Sequence, residues 1–326
     1  MTFLDTIHSY ENKIEKLKIS ITQEPNNWLA YQEEVDGIID SVFNLCWEYE
    51  RQHADDEVKL YKMKRLFNEN FMHYFKLGRL GRMVIEKPFG YHGDFLIIDE
   101  IYSNKAETLG LERCMDNYFL RTAASIATRN RKEDFKAYLL EIVNKTKSEV
   151  RIMDLASGPC RDIKEFLDKC ERGFMPVIID CVDHDIHAIN YGKNVLNGIN
   201  QCQINFIQRN AMRIALTPSV EKYFPHQYDV IFSTGLFDYL DEKIATPLIG
   251  NMRKLLKKDG VMIISNYRDK WANPSRHYME WGGGWELIYR TEEEFARLFK
   301  NAGFEKSQLS LKYEPQKIMQ YRFARN

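Results

Sequence analysis

The chain has 326 residues, more than one average domain contains, and 44% of them are hydrophobic, so two packed domains are expected. Its 46 Lys and Arg are balanced by 47 Asp and Glu, which argues against a nucleic-acid partner and against binding to an anionic membrane surface. There is no signal-peptide pattern, no membrane-spanning apolar run and no C-x-x-C pair among six cysteines. We therefore expect a cytoplasmic protein with free thiols and without stable membrane insertion, and leave open whether it forms a homodimer.

The first part of the chain is predicted to be helical. Apolar residues recur at helical spacing after Pro25, which can begin a helix, and again around Phe135 and Leu139. Between these stretches, KPFGYHGDF contains two glycines and a proline and is predicted to be a loop. The pattern predicts a helical domain over residues 1–147.

Short apolar strands alternate with amphipathic helices in the rest of the chain. The strands are predicted at VRIMDL, PVIIDCVD, INFIQ, YDVIFST and GVMIISN, followed by a hairpin at SQLSLKYEP and KIMQYRFAR. Thr291 and Glu294 have the spacing of a capping box. The alternation predicts an α/β fold over residues 148–326, with a mostly parallel sheet covered by helices on both faces.

Polar or small residues follow four of the predicted strands. They lie in DLASGPC after Asp154, in CVDHD around Asp183, in QRNA around Asn210 and in STGLFDY after Ser233. Since the carboxyl ends of parallel strands face the ligand in such folds, we expect one binding rim. Asp183 can accept hydrogen bonds from two ribose hydroxyls, with Asp185 as the second choice or as a helix cap. Asn210 can bind an adenine edge or lie in a solvated loop, and the missing G-x-G-x-x-G pattern argues against NAD.

The order and spacing of these segments resemble the class I S-adenosylmethionine (SAM)-dependent methyltransferases, over roughly residues 149–325. In that family the first turn reads acidic-x-Gly-x-Gly-x-Gly, whereas here Ala156 and Cys160 replace the outer glycines and Gly158 remains. The resemblance implies a Rossmann-like domain with SAM as cofactor and S-adenosylhomocysteine (SAH) as product. It implies these cofactor-binding residues: Asp154, Ala156, Gly158, Asp183, His184, Asn210, Ala211, Ser233 and Arg129.

The resemblance also implies individual roles for some of these side chains. Asp183 would hold the ribose, His184 would flank the adenine and Asn210 would meet the adenine edge. Arg129 or Arg131, which lie on a helix whose face would otherwise be solvated, would bind the carboxylate of the cofactor.

A narrower resemblance covers both parts of the chain, from about residue 87 to residue 290. KPFGYHGDF, TAASIATRNR, DLASGPCRD, STGLFDYL and WELIYRT together resemble bacterial methyltransferases of the 3-hydroxypalmitic acid methyl ester synthase type. Those enzymes methylate a fatty-acid carboxylate. The resemblance implies a small-molecule substrate, with the carboxylate of a (hydroxy) fatty acid or a similar carboxylic acid as the first candidate. We expect the body of this acceptor to bind in an apolar cleft between the helical domain and the sheet.

Methyl transfer from a sulfonium is an in-line displacement, which requires that the reactants be held together and shielded from water. A carboxylate acceptor is already ionised at neutral pH, whereas a phenol or ammonium needs a base such as Asp94, Asp238 or His92. We expect an acceptor site with orienting tyrosines and a guanidinium clamp. Its predicted members are Tyr91, Tyr239 and Tyr289, Arg290 or Arg268, and Asp94.

The loop from Tyr91 to Asp94 is predicted to be a lid over the reacting groups, with a helix cap at Asp94 as the alternative. The run from Trp281 to Gly284 predicts a mobile loop near an entrance. No metal site is expected, since neither H-E-x-x-H nor an Asp/His cluster occurs.

Three functional classes stay open at this point. A carboxyl O-methyltransferase would keep its activity when every candidate base is removed. A methyltransferase of nitrogen or phenolic oxygen would lose much of it, and a non-catalytic SAM- or nucleotide-binding module would bind cofactor without turnover.

Overall fold

The computed structural model describes residues 3–170 and 176–326. They form two compact units, each contributed by three separate stretches of the chain. The helical unit contains Met1–Gly93, Ser103–Ile126 and Pro274–Glu286. The sheet unit contains Asp94–Tyr102, Ala127–Asn273 and Leu287–Asn326. This division differs from the predicted boundary at residue 147.

The helical unit begins with α1 (Phe3–Gln23), a short 3-10 turn (Pro25–Tyr31) and α2 (Gln32–Gln52). The next helices are α3 (Glu57–Phe75), α4 (Arg79–Glu86), α5 (Phe95–Ser103), α6 (Gly110–Arg121) and α7 (Ala123–Lys145). Most of α5 and most of α7 belong to the sheet unit. The loop predicted at KPFGYHGDF is confirmed between α4 and α5.

Aromatic side chains fill the core of the helical unit and hold the segment Pro274–Glu286 in it. The rings of Phe43 and Tyr278 are 5.1 Å apart in an edge-on arrangement. A Cβ added to Gly282 would lie 2.7 Å from the ring of Phe75, which leaves no room for a side chain. The prediction of a mobile loop at residues 281–284 is therefore wrong for Gly282, whose close packing explains the glycine.

In the sheet unit, the described residues form seven strands in the order β3-β2-β1-β4-β5-β7-β6. The strands are β1 (Val150–Leu155), β2 (Val177–Asp183), β3 (Gln203–Gln208), β4 (Tyr228–Ser233), β5 (Leu256–Tyr267), β6 (Leu309–Tyr313) and β7 (Met319–Arg325). The first five are parallel, and β7 runs antiparallel to both β5 and β6. The predicted α/β class, the mostly parallel sheet and the terminal hairpin are confirmed.

Five further helices follow strands of the sheet: α8 (Arg161–Lys169), α9 (Ile186–Val195), α10 (Ala211–Leu216), α11 (Glu242–Lys254) and α12 (Glu292–Asn301). The capping box predicted at Thr291 and Glu294 is present at the start of α12. Helix α7 packs on the sheet because Phe135 contacts Phe232 of β4 and Tyr321 of β7, with ring centroids 5.9 and 5.2 Å apart.

The register of the sheet brings the ends of its strands together. Leu155 at the end of β1 is paired with Val182 of β2, and Asp183 is paired with Gln208 at the end of β3. The chain order reverses at β1, which lies between β2 and β4, so this is the point where an α/β sheet binds its ligand. Within the described residues, no helix is long and apolar enough to cross a bilayer.

Candidate functional site

The turn after β1 keeps a glycine-like backbone although it contains only one glycine. Ala156, Gly158 and Cys160 have φ angles of +62°, +50° and +55°, a region that residues with a side chain disfavour. The N–H groups of Ala156 and Ser157 both donate to the carbonyl of Val182, at 2.8 and 3.2 Å. The two substitutions of the family pattern therefore change the side chains without abolishing the left-handed conformation.

Asp183 at the end of β2 is bonded to this turn. Its Oδ2 accepts the backbone N–H of Gly158 at 3.0 Å, and its Oδ1 accepts the N–H of Asp185 at 2.9 Å. Asp185 accepts the N–H of His187 at 2.8 Å and caps α9, as its alternative interpretation predicts. The two acidic residues thus have different surroundings, and Asp183 is the one that joins two strand ends.

The neighbouring candidates lie on the same rim. His184 has a half-exposed side chain whose Nδ1 is 3.4 Å from Asp183, and the hydrogen bond to Asp183 raises the pKa of His184. Asn210 begins α10 by accepting the N–H groups of Met212 and Arg213 through Oδ1, and Ala211 is the first residue of that helix.

Two buried carboxyl groups precede and follow the turn in sequence. The Oδ2 atom of Asp154 is buried and has no hydrogen-bond partner within residues 3–170 and 176–326. Burial and then the adjacent carboxyl of Asp162 raise the pKa of Asp154. Burial likewise raises the pKa of Asp162, to about 6. Burial thus favours the neutral form of both acids, and a positive charge beside them would favour their ionised form.

The two arginines of α7 have different environments. Arg131 is buried against the loop after β4, since a Cβ on Gly235 would lie 3.1 Å from its Nη1 atom. Arg129 is half-buried, and its Nη1 donates to the carbonyl of Ile101 at 3.5 Å. The alternative interpretation, a solvated helix face, therefore does not hold for Arg131.

The loop after β4 is fixed by buried polar groups. Ser233 donates to the carbonyl of Leu155 at 2.7 Å and so ties β4 to β1. Asp238 accepts the side chain of Asn266 and the N–H of Tyr267, both at 2.7 Å. Tyr239 is exposed, and Tyr289 lies edge-on to Tyr267 with ring centroids 5.9 Å apart.

Arg290, predicted as a carboxylate clamp, is buried against the same loop. Its guanidinium donates to the carbonyl of Phe237 at 2.7 Å and also to the side chain of Asn266 and the carbonyl of Leu240. Arg268 lies over the ring of Tyr313, 5.5 Å from its centroid.

The predicted lid loop is divided between the two units. Tyr91 and His92 belong to the helical unit, where the ring of His92 is stacked with that of Trp285 at 5.9 Å. Asp94 belongs to the sheet unit and caps α5, because its Oδ1 accepts the N–H groups of Leu96 and Ile97 at 2.9 and 3.0 Å. Burial raises the pKa of Asp94. The hydrogen bonds from the two N–H groups lower it, and the nearby carboxylate of Asp185 raises it further.

A family model described as "Methyltransferase domain" matches residues 127–309, more than half of the chain. The chain belongs to this methyltransferase domain family. The match covers β1 to β5 together with most of α7 and all of α12, and therefore includes the turn after β1 and the end of β2.

A solved structure with the same fold is that of a possible exported protein from Bordetella parapertussis, with a TM-score of 0.61, 17% identity and coverage of 78% of this chain and 85% of that one. The comparison also found magnesium protoporphyrin IX methyltransferase from Synechocystis PCC 6803 with bound SAH, at a TM-score of 0.49, 10% identity and coverage of 70% and 93%. The comparison with curated proteins gave no match.

The sheet unit contains a buried acidic group near the rim, outside the matched residues, that sequence patterns did not reveal. Asp99 of α5 accepts hydrogen bonds from Arg161, the first residue of α8, and from Tyr191 of α9. The partners are 62 and 92 residues away from Asp99, so no local spacing connects them. An acidic residue on the apolar face of a short helix, FLIIDEIYS, was the available signal.

Proposed function

We propose that the chain is an enzyme that transfers a methyl group from SAM to a small-molecule acceptor. The observation that carries this proposal is the bond between Asp183 and Gly158, which unites an acidic strand end with a turn of positive φ angles. Membership of the methyltransferase domain family supports the same reaction.

The residues of the rim suit this cofactor. A carboxylate accepts about four hydrogen bonds, so Asp183, which already accepts from two backbone N–H groups and from His184, retains capacity for one ribose hydroxyl, and for a second one if the ligand displaces His184. A Cβ on Gly158 would meet no atom within 4 Å, which means that the turn presents bare backbone to open space. A cation beside the buried carboxyl groups of Asp154 and Asp162 would favour their ionised forms, and SAM carries a positively charged sulfonium whose methyl group it supplies.

The adenine and the amino-acid part of the cofactor are assigned to other side chains. His184 would lie along the adenine, and Asn210 would donate to its edge through Nδ2 while its Oδ1 caps α10. Ala211 would lie beside it. We favour Arg131 over Arg129 as the partner of the cofactor carboxylate, because Arg131 lies against Gly235 and Arg129 donates to Ile101.

Two predicted site residues are better explained as supports of the loop after β4. The hydroxyl of Ser233 is committed to Leu155, and the guanidinium of Arg290 is committed to three oxygens of the protein. We assign them the role of holding Tyr239 and Tyr289, which remain our candidates for orienting the acceptor.

A carboxylate is our first candidate for the acceptor, as the narrower resemblance implies. It is ionised at neutral pH, so the enzyme would only need to position it. A panel of long-chain fatty acids, 3-hydroxy fatty acids, amines and phenols, incubated with methyl-labelled SAM and analysed by product mass, tests this choice. Labelled methyl esters are expected, whereas label only on amines or phenols would contradict a carboxylate acceptor.

A phenol or amine acceptor is the second candidate, because His92 offers a neutral imidazole nitrogen that could accept a proton. Burial lowers the pKa of His92 to about 4, so the imidazole is neutral near pH 7. Its ring hydrogen-bonds to the backbone of Gly283, and the buried Nε2 atom has no hydrogen-bond partner among the described residues. His92→Gln should abolish methylation of a phenol or amine and leave methylation of a carboxylate nearly unchanged.

A further inference from the structure

A single carboxylate connects three helices of the sheet unit. Asp99 of α5 accepts the hydroxyl of Tyr191 at 2.6 Å and the Nη2 of Arg161 at 2.7 Å, both through Oδ2. The Nε of Arg161 donates to the other carboxylate oxygen, which makes the ion pair bidentate. The Asp99 side chain is 9% exposed and that of Arg161 is 32% exposed. Such a pair is directional as well as attractive.

Each partner of Asp99 belongs to a helix that continues from the proposed cofactor rim. Arg161 begins α8 and directly follows Cys160, the last residue of the turn with positive φ. Tyr191 lies in α9, which begins directly after Asp185 and three residues after the proposed ribose ligand Asp183. The ring of Phe95, the first residue of α5, also contacts Tyr191 with centroids 5.2 Å apart.

The turn after β1 needs such an anchor. Ala156 and Cys160 adopt a left-handed conformation that an L-residue with a Cβ disfavours, and such backbone persists only where surrounding contacts fix it. Bonds to Val182 fix the first half of the turn. At the second half, the residue next to Cys160 is Arg161, and its guanidinium is held by Asp99.

We propose that Asp99 is a positioning residue for cofactor binding: through Arg161 and Tyr191 it fixes the turn of residues 156–160 and the start of α9 in the geometry that receives SAM. This inference rests on the proposed function, from which it takes SAM as the ligand. It adds a residue outside the strand-end segments, on a helix that Asp94 caps.

The hydrogen bonds to Asp99 change the pKa values of both of its partners. The hydrogen bond to Asp99 raises the pKa of Arg161. Burial, and then the hydrogen bond to Asp99, raise the pKa of Tyr191 to about 12. Both groups therefore keep their protons over the ordinary pH range, and Asp99 keeps its donors.

The test compares Asp99→Asn with Asp168→Asn in the full chain. Asp168 also pairs with a basic residue of α8, Lys164 at 3.0 Å, but that pair is exposed. Titration calorimetry with SAH should show binding about tenfold weaker for Asp99→Asn than for the wild type. An effect of this size is usual for substitutions at residues that do not contact the ligand. Asp168→Asn should bind like the wild type.

Amide hydrogen exchange of the ligand-free protein gives a second readout. In Asp99→Asn the peptide with residues 156–160 should exchange faster, while the buried strand β5 serves as an internal reference for global unfolding. Tyr191→Phe, a milder variant, should show the same change to a smaller extent. In a cycle with Arg161→Gln, the double variant should bind SAH no more weakly than the single variants.

The outcomes separate the two levels of the proposal. A wild type that binds no SAH would overturn the proposed function, while the exchange measurement would still decide whether Asp99 fixes the turn. Equal SAH affinity and equal exchange in Asp99→Asn and Asp168→Asn would overturn the positioning role.

Discussion

The backbone N–H of Gly158 donates to the carboxylate of Asp183 at 3.0 Å, so the turn after β1 and the end of β2 form one unit. The other oxygen of Asp183 accepts the N–H of Asp185. Asp183 therefore preorganises the rim before any ligand arrives, and a ligand that bonds to it meets a carboxylate already fixed in place.

Replacing Asp183 should damage cofactor binding far more than replacing Asp185. Hydrogen bonds to charged groups contribute about 1.5–3 kcal/mol each, and Asp183→Ala also releases Gly158, so we expect a loss of at least about 2 kcal/mol in SAH binding. Asp185→Ala removes a helix cap and should lower the free energy of unfolding by about 1 kcal/mol with a small change in Kd. Calorimetry and urea unfolding measure both; equal losses of affinity would mean that the ribose ligand is misassigned.

Two substitutions in the turn after β1 should have opposite effects on the stability of the protein. Gly158→Ala places a Cβ at φ +50° in open space, which should lower stability by about 1 kcal/mol and reduce SAH affinity, because the methyl group projects toward the proposed ligand. Ala156→Gly relieves a φ of +62°, and this gain exceeds the loss from glycine flexibility, so stability should rise slightly. Melting temperatures of both variants test this, and a destabilised Ala156→Gly would show that its side chain has a packing role.

Substitutions of Tyr91 and Asp94, the two residues of the predicted lid, should affect different measurements: turnover for Tyr91 and stability for Asp94. Tyr91→Phe should leave the melting temperature and the Kd for SAH unchanged and lower turnover of whichever acceptor the panel identifies. Asp94→Asn keeps an oxygen that can cap α5, whereas Asp94→Ala should lose about 1 kcal/mol of stability. Full turnover in both Tyr91→Phe and Asp94→Asn would contradict the lid and leave Asp94 a structural cap.

Stability should depend on pH through His92. Its pKa in the folded chain is about 4, below the ordinary value of 6.5, so the unfolded chain binds more protons between these values. The contribution of His92 is therefore fully present above pH 6.5 and is lost as the pH falls toward 4. Urea unfolding of the wild type and His92→Gln across this range should show a stability difference that shrinks on acidification; a difference independent of pH would contradict the neutral buried imidazole.

Much of the sheet could be predicted because its strands are short apolar runs that end in polar residues. The β2 strand is buried at all seven positions, and its sequence VIIDCVD shows this directly. The capping box at Thr291 and the cap at Asp185 also follow from local spacing. In each case the sequence carries the signal within a few neighbouring residues.

Long-range burial could not be predicted in this way. Arginine is usually a surface residue, and only the assembled structure shows that Arg131 and Arg290 are buried. The segment Pro274–Glu286 joins the helical unit through His277, whose Nε2 is 2.9 Å from Glu50, a residue 227 positions earlier. Asp99 and Arg161 are a further example, since the ion pair that they form joins residues far apart in the sequence.

Calorimetric titration of the purified full chain with SAH tests most directly whether the rim of Asp183 and Gly158 is a cofactor site. We predict saturable heat that fits one class of sites in the wild type and a markedly weaker Kd in Asp183→Ala, with Asp168→Asn unchanged. A wild-type chain that gives no heat with SAH, and no shift in melting temperature with either SAM or SAH, would contradict the assignment of this rim to SAM.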